Sequence, residues 1–67
     1  MPIAIINIIE GRSEEKKQAL LSNVSKAIAD SLDAPLESVR VLIQEYPDTQ
    51  WAAGGQTIAE RRKQSPR

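Results

Sequence analysis

Residues 3–9 read Ile-Ala-Ile-Ile-Asn-Ile-Ile. Five isoleucines in seven positions make a stiff, β-branched run that favours extended backbone. The run is apolar at both odd and even positions, the pattern of a strand buried on both faces, as in a parallel sheet. Glu10-Gly11-Arg12 ends it. Ser13 is suited to cap a following helix, and Glu14 and Glu15 suit the positive end of its dipole. Lys16 stands where a capping box would need Glu or Gln, so the box is incomplete. Leu20, Leu21, Val24, Ile28 and Leu32 recur at helical spacing, with Lys16, Lys17, Lys26 and Asp30 on the other face. The spacing predicts an amphipathic helix from Ser13 to Leu32, stopped by Asp33-Ala34-Pro35.

Val39-Arg40-Val41-Leu42-Ile43-Gln44-Glu45 reads as a second strand. Strand, helix and strand with short joins make one α/β unit, a β-α-β protomer with parallel strands and a right-handed crossover. Tyr46-Pro47-Asp48-Thr49 reads as a turn. Residues 51–58 read as a small C-terminal hairpin or arm pivoting on Gly54 and Gly55. Residues 60–67 are polar and basic and read as a frayed tail.

A chain of 67 residues is one domain, 1–67. Chains of this size bury only about 60% of their unfolded surface, and two strands alone do not make a stable sheet. Small folds make up the deficit with disulfides, metals or association. The chain has no Cys, so disulfides and thiolate metal sites are excluded. It has no His, and no loop alternates Asp and Glu as ligands, so no metal site is expected. Association with further copies of the chain is left. Nine Lys and Arg balance nine Asp and Glu. A net charge of zero creates no field for nucleic acid. No apolar run reaches the roughly 18 residues of a membrane span, and no basic segment precedes the first strand, so a cytoplasmic protein is expected.

Without Cys or His, few groups can carry a proton. Residue 2 is Pro, and an initiator Met before so small a residue is trimmed, which would expose a secondary amine on a rigid ring. An α-amino group is the base closest to neutrality in this chain, and partial burial disfavours its charged form. The same Pro is also a tolerable strand start. Arg40 lies within an apolar strand and needs a partner, either a carboxylate such as Glu45 or Glu10, or an anionic substrate held bidentately. Arg12 is either a solvated loop charge or a second anion contact. Trp51 is the only tryptophan, either an interface anchor or an apolar wall beside a conjugated substrate.

Pro2-Ile3-Ala4, Ile8-Ile9-Glu10-Gly11-Arg12-Ser13-Glu14-Glu15, residues 31–36 (SLDAPL), Ser38-Val39-Arg40-Val41, and Trp51 with Gly54-Gly55 form an ordered set. At this spacing, from Pro2 to about Ile58, the chain resembles the 4-oxalocrotonate tautomerase family. The resemblance implies β-α-β protomers, dimers with a four-stranded sheet, and a homohexamer built as a trimer of dimers. It implies cofactor-free 1,3-keto–enol tautomerisation of unsaturated oxo-acids, typically 2-hydroxymuconate-like dicarboxylates from catechol meta-cleavage, with no metal.

Carried over residue by residue, Pro2 is the general base. Arg40 from a neighbouring subunit binds one carboxylate and the adjacent 2-oxo oxygen, and Arg12 holds the distal carboxylate. Trp51, where the best-known member has Phe, makes the apolar wall, and Ser38 and the backbone of Ile9 line the site. Asn7 replaces a His, and residues 46–50 and those after Gly55 depart from the family pattern. Hydratases and dehalogenases of the superfamily need a water-activating carboxylate and an extra first-strand Arg, which Gln50, Ala52, Asn7, Ile8 and Ile9 do not supply. Alternative readings are a tautomerase for a monoacid such as phenylpyruvate enol, or a non-catalytic oligomeric binding module if Met1 is retained. Intact-mass spectrometry of the purified protein is expected to show the loss of one methionine; a retained Met1 leaves Pro2 an amide without a basic lone pair.

Overall fold

The computed structural model describes residues 1–64. Its elements run β1 (Ile3–Ile9), α1 (Glu14–Leu32), a 3-10 turn (Leu36–Ser38), β2 (Arg40–Tyr46), a second 3-10 turn (Asp48–Gln50), β3 (Ala52–Ala53), β4 (Gln56–Thr57) and α2 (Ile58–Gln64). β1 and β2 pair in parallel, from Ile3 opposite Arg40 to Ile9 opposite Tyr46. β3 and β4 form the expected hairpin, turned by Gly54 and Gly55 at φ of 63° and 82°. Both glycines sit in the left-handed region that two-residue hairpin turns demand.

The long helix begins as its sequence directs. Ser13 Oγ accepts from the Lys16 N–H at 3.3 Å, and no side chain reaches back to complete a box. At the other end Asp33 adopts a left-handed conformation (φ 54°), and the Ala34 N–H donates to Ala29 O at 3.0 Å. This closes the helix with Asp in place of the usual Gly. β2 starts one residue later than the apolar run suggests. The Val39 N–H donates to Leu36 O and so belongs to the turn.

The stretch expected to fray is folded. Residues 58–64 form α2, and the reason is a capping box not credited in reading the sequence, Thr57-Ile58-Ala59-Glu60. The Thr57 N–H donates to Glu60 Oε1 at 2.9 Å, and the Glu60 N–H donates to Thr57 Oγ1 at 3.1 Å. Two orphan donors are thereby satisfied reciprocally. Arg61, Arg62 and Lys63 then fall in the last turn, where cations complement the helix dipole. Residues 65–67 of that stretch lie outside the described residues.

Burial follows the expectation that one short chain cannot cover both faces of its sheet. α1 covers one face of the sheet, where Val41 and Ile43 meet Leu21. The opposite face stays open: Ile3, Ile5 and Leu42 are 64%, 55% and 48% exposed. Within one protomer the first strand is therefore covered on a single face. Among the described residues only Ala29 and Val39 count as buried hydrophobics. The radius of gyration is 15.5 Å, against about 11 Å for a compact domain of this length. The hydrophobic face and the long axis are those of a part made to be covered by another chain. No helix among the described residues is long and apolar enough to cross a membrane.

One polar link joins α1 to β2. Lys17 Nζ lies 2.9 Å from Glu14 Oε2 and 3.0 Å from Glu45 Oε1. Hydrogen bonds to Glu14 and then Glu45 hold the ammonium pKa above the ordinary lysine value of 10.5. A group whose pKa is raised on folding contributes its stability below the unfolded value and loses it as pH rises through the folded one. The melting temperatures of wild type and Lys17→Met are expected to differ by a constant amount near neutrality. The difference should shrink above pH 10.5, which thermal melts across an alkaline series will read.

Candidate active site

The parallel register sorts the candidate residues into two groups at opposite ends of the sheet. At the start of the strands the Arg40 N–H donates to Pro2 O at 2.9 Å, so Pro2 and Arg40 are neighbours through the ladder. The Arg40 guanidinium turns to backbone, donating to Glu37 O at 2.7 Å and Val39 O at 3.4 Å. It meets no carboxylate among the described residues, so neither Glu45 nor Glu10 neutralises it within the protomer. Ser38 lies in the turn before β2, where its Oγ donates to Pro35 O at 2.8 Å. Both side chains are held by carbonyls of their own turn. Those contacts place a cation and a hydroxyl beside the entrance to β2.

Ile9, Arg12 and Trp51 gather at the other end. They line a pocket of about 290 Å³ together with Asn7, Ile8 and Arg62. Arg12 Nη1 donates to Ile9 O at 3.1 Å, a local bond that leaves most of its donors available. Arg62 Nη1 pairs with Asp48 Oδ2 at 3.0 Å. Trp51 stands edge-to-face against Tyr46, with ring centroids 6.0 Å apart and planes at 77°. The lining thus joins isoleucine and tryptophan surface to two guanidiniums. Such a mixture suits a flat, conjugated anion: apolar walls for its body and forked donors for a carboxylate.

Six steps of β1 separate the two groups, about 20 Å at the rise of a parallel strand. A small acid cannot span that distance, so one protomer does not bring Pro2 and Arg40 together with Arg12 and Trp51. Arg62 and Asn7 were not among the candidates read from the sequence. The polar, basic composition of residues 60–67 hides Arg62 in an apparent tail; the Thr57–Glu60 capping box is the signal that reveals it. Asn7 enters the sequence reading as a replacement for His and as a position without the extra first-strand Arg, not as a pocket residue.

The fold and pocket define a class, a minimal β-α-β chain with an open sheet face and an anion-receptive cleft. The sequence matches the family described as "Tautomerase enzyme" over residues 2–61. It is 52% identical over 63 residues to a 2-hydroxymuconate tautomerase of Pseudomonas sp. (strain CF600), covering 94% of this chain and all of that relative. To a 2-hydroxymuconate tautomerase of Stutzerimonas stutzeri it is 56% identical over 57 residues, covering 85% of this chain and 90% of the other. A 4-oxalocrotonate tautomerase isozyme from Methylibium petroleiphilum superposes with a TM-score of 0.93 at 33% identity, covering 96% of this chain and all of that one. A heterohexamer 4-oxalocrotonate tautomerase from Chloroflexus aurantiacus superposes at 0.87 with 45% identity, covering 90% and 97% of the two chains. The chain belongs to the tautomerase family and is an isomerase with the 4-oxalocrotonate tautomerase fold.

Arg12 contributes little to the protomer beyond one exposed bond to Ile9 O. Arg12→Ala is therefore expected to change stability by no more than about 0.5 kcal/mol. Denaturant unfolding of the two proteins at equal concentration will measure this, and a binding defect in the variant can then be read as a defect of the site.

Proposed function

We propose that this chain is a cofactor-free tautomerase that converts a 2-hydroxymuconate-like dienol dicarboxylate to its conjugated 2-oxo isomer. Pro2, freed of Met1, is the general base. The observation that carries the reading is the composition of the pocket: Arg12, the Asp48-paired Arg62 and apolar walls, with no side chain among the described residues that line it able to take a proton near neutrality. The base comes from elsewhere, and the N-terminal amine of another copy is the group that fits. The open face of Ile3, Ile5 and Leu42 supports the association this requires, in a homo-oligomer with hexamer geometry.

In this reading Pro2 nitrogen takes the enol proton from oxygen and returns a proton to carbon. One proton leaves and one arrives, so the balance needs no electron acceptor. Arg40 binds the carboxylate next to the reacting centre and faces the oxygen on which dienolate charge develops, where fixed donors act most strongly. Arg12 binds the distal carboxylate, Trp51 and Ile9 bound the conjugated chain, and Ser38 lines the Arg40 end. Arg40 from the strand entrance of one copy and Arg12 from the strand exit of another, brought to one site, match a substrate with two carboxylates. The relatives at 52% and 56% identity, both 2-hydroxymuconate tautomerases, support the same substrate class.

An ultraviolet assay of 2-hydroxymuconate conversion tests the roles. Pro2→Ala is expected to lose most of its turnover, within the about 10²–10⁴-fold worth of a positioned general base. Arg40→Ala should lower both kcat and kcat/KM, and Arg12→Ala should mainly raise KM. Wild-type turnover in Pro2→Ala would sink the mechanism. An unchanged KM in Arg12→Ala would move the substrate to a monoacid such as phenylpyruvate enol. Absence of turnover in protein that keeps Met1 would favour the binding-module alternative.

A further inference from the structure

Tyr46 ends β2, and its hydroxyl lies 2.9 Å from Asn7 Oδ1 on β1 and 3.1 Å from Gln44 Oε1 on its own strand. Register explains the meeting. Asn7 stands opposite Gln44, and Ile9 opposite Tyr46, so the phenol reaches back over the preceding residue pair on the open face of the sheet. A phenol has one proton and serves one acceptor; the second contact becomes a hydrogen bond when that amide turns its NH2 to the hydroxyl oxygen. The two strands therefore hold the polar end of the ring from both sides.

The other partner of the ring is Trp51, edge-to-face at 6.0 Å, a geometry favoured by the ring quadrupoles. Trp51 lies on the arm formed by the second 3-10 turn, the hairpin and α2, which packs mainly on itself. The Trp51 carbonyl is also tied inside the arm, accepting from the Ile58 N–H at 2.9 Å. The ring-to-ring contact is thus a principal side-chain link between the arm and the sheet. Tyr46 and Trp51 are the only aromatic residues in the chain, so no other ring can take over the contact.

We propose that Tyr46 is a positioning residue: the Asn7–Tyr46–Gln44 hydrogen bonds fix its ring, and the ring sets where Trp51 stands as the wall of the pocket. The role rests on the reading of that pocket as the active site. Tyr46 acts through Trp51 and makes no contact with substrate. Without the clamp the wall is free to swing with the arm, and binding of the flat acid weakens while proton transfer at Pro2 is little altered.

Tyr46→Phe removes both hydrogen bonds and keeps the ring. Because Trp51 is the sole tryptophan, red-edge excitation of its fluorescence reports the wall alone. Iodide quenching of Trp51 is expected to rise, its anisotropy to fall, and KM for 2-hydroxymuconate to rise roughly two- to tenfold, the net worth of one hydrogen bond, with kcat changed far less. In a Trp51→Ala background, Y46F should add no further rise in KM, because the effect passes through the missing ring. Unchanged quenching and anisotropy overturn the proposal, as does an equal rise in KM without Trp51. If Y46F fails to assemble by gel filtration, Gln44→Leu removes one partner of the hydroxyl while keeping Tyr46, leaves the pocket lining untouched, and is read the same way. If the wild-type protein shows no tautomerase activity, the functional reading fails, while the fluorescence comparison still decides the clamp.

Discussion

Parallel pairing of β1 with β2 in a single register is the constraint on which the rest of the molecule depends. It sets Arg40 beside Pro2 and Tyr46 beside Ile9. It puts Asn7, Gln44 and Tyr46 on one face, and Val41 and Ile43 on the face under α1. Because a parallel pair needs a crossover, the chain spends nineteen residues on α1. Little is left to cover the second face. The exposed isoleucines at 3 and 5 follow from that topology, and so does the need for another chain.

The same constraint divides the chemistry. Pro2 and the Arg40 guanidinium lie at the entrance to the strands, and the Arg12 guanidinium and Trp51 lie at their exit. Under the proposed function, a protomer so divided supplies half of each of two sites rather than the whole of one. On that proposal association does two jobs at once: it buries the open sheet face, and it brings an entrance group of one copy to an exit group of another. The same proposal links stability and activity through one surface, so that substitutions at Ile3, Ile5 or Leu42 impair both without touching a reacting atom.

Much of this was legible in the residues themselves. The isoleucine run marked β1, the 3.6-residue period from Leu20 to Leu32 marked α1, and Ser13 and Asp33 marked its ends. Gly54-Gly55 marked the hairpin, because only left-handed backbone makes that turn tight. The all-apolar run of β1 shows that both faces are to be covered, the chain is too short to cover them alone, and the open face of Ile3, Ile5 and Leu42 agrees with that reading. The end of the chain was misread because its polar composition outweighed the Thr57–Glu60 spacing. That error hid α2 and with it Arg62. The Tyr46 clamp was beyond reach, since it depends on a cross-strand register that no local pattern displays.

The central claim is that each active site is assembled from more than one copy, and mixing two defective variants tests it most directly. Pro2→Ala and Arg12→Ala proteins are denatured, mixed in equal amounts and reassembled, and conversion of 2-hydroxymuconate is measured. Sites shared between copies predict recovery, because some pair Pro2 of the Arg12→Ala chain with Arg12 of the Pro2→Ala chain. Activity no greater than the mean of the two variants reassembled separately would contradict the account and return the whole site to a single protomer.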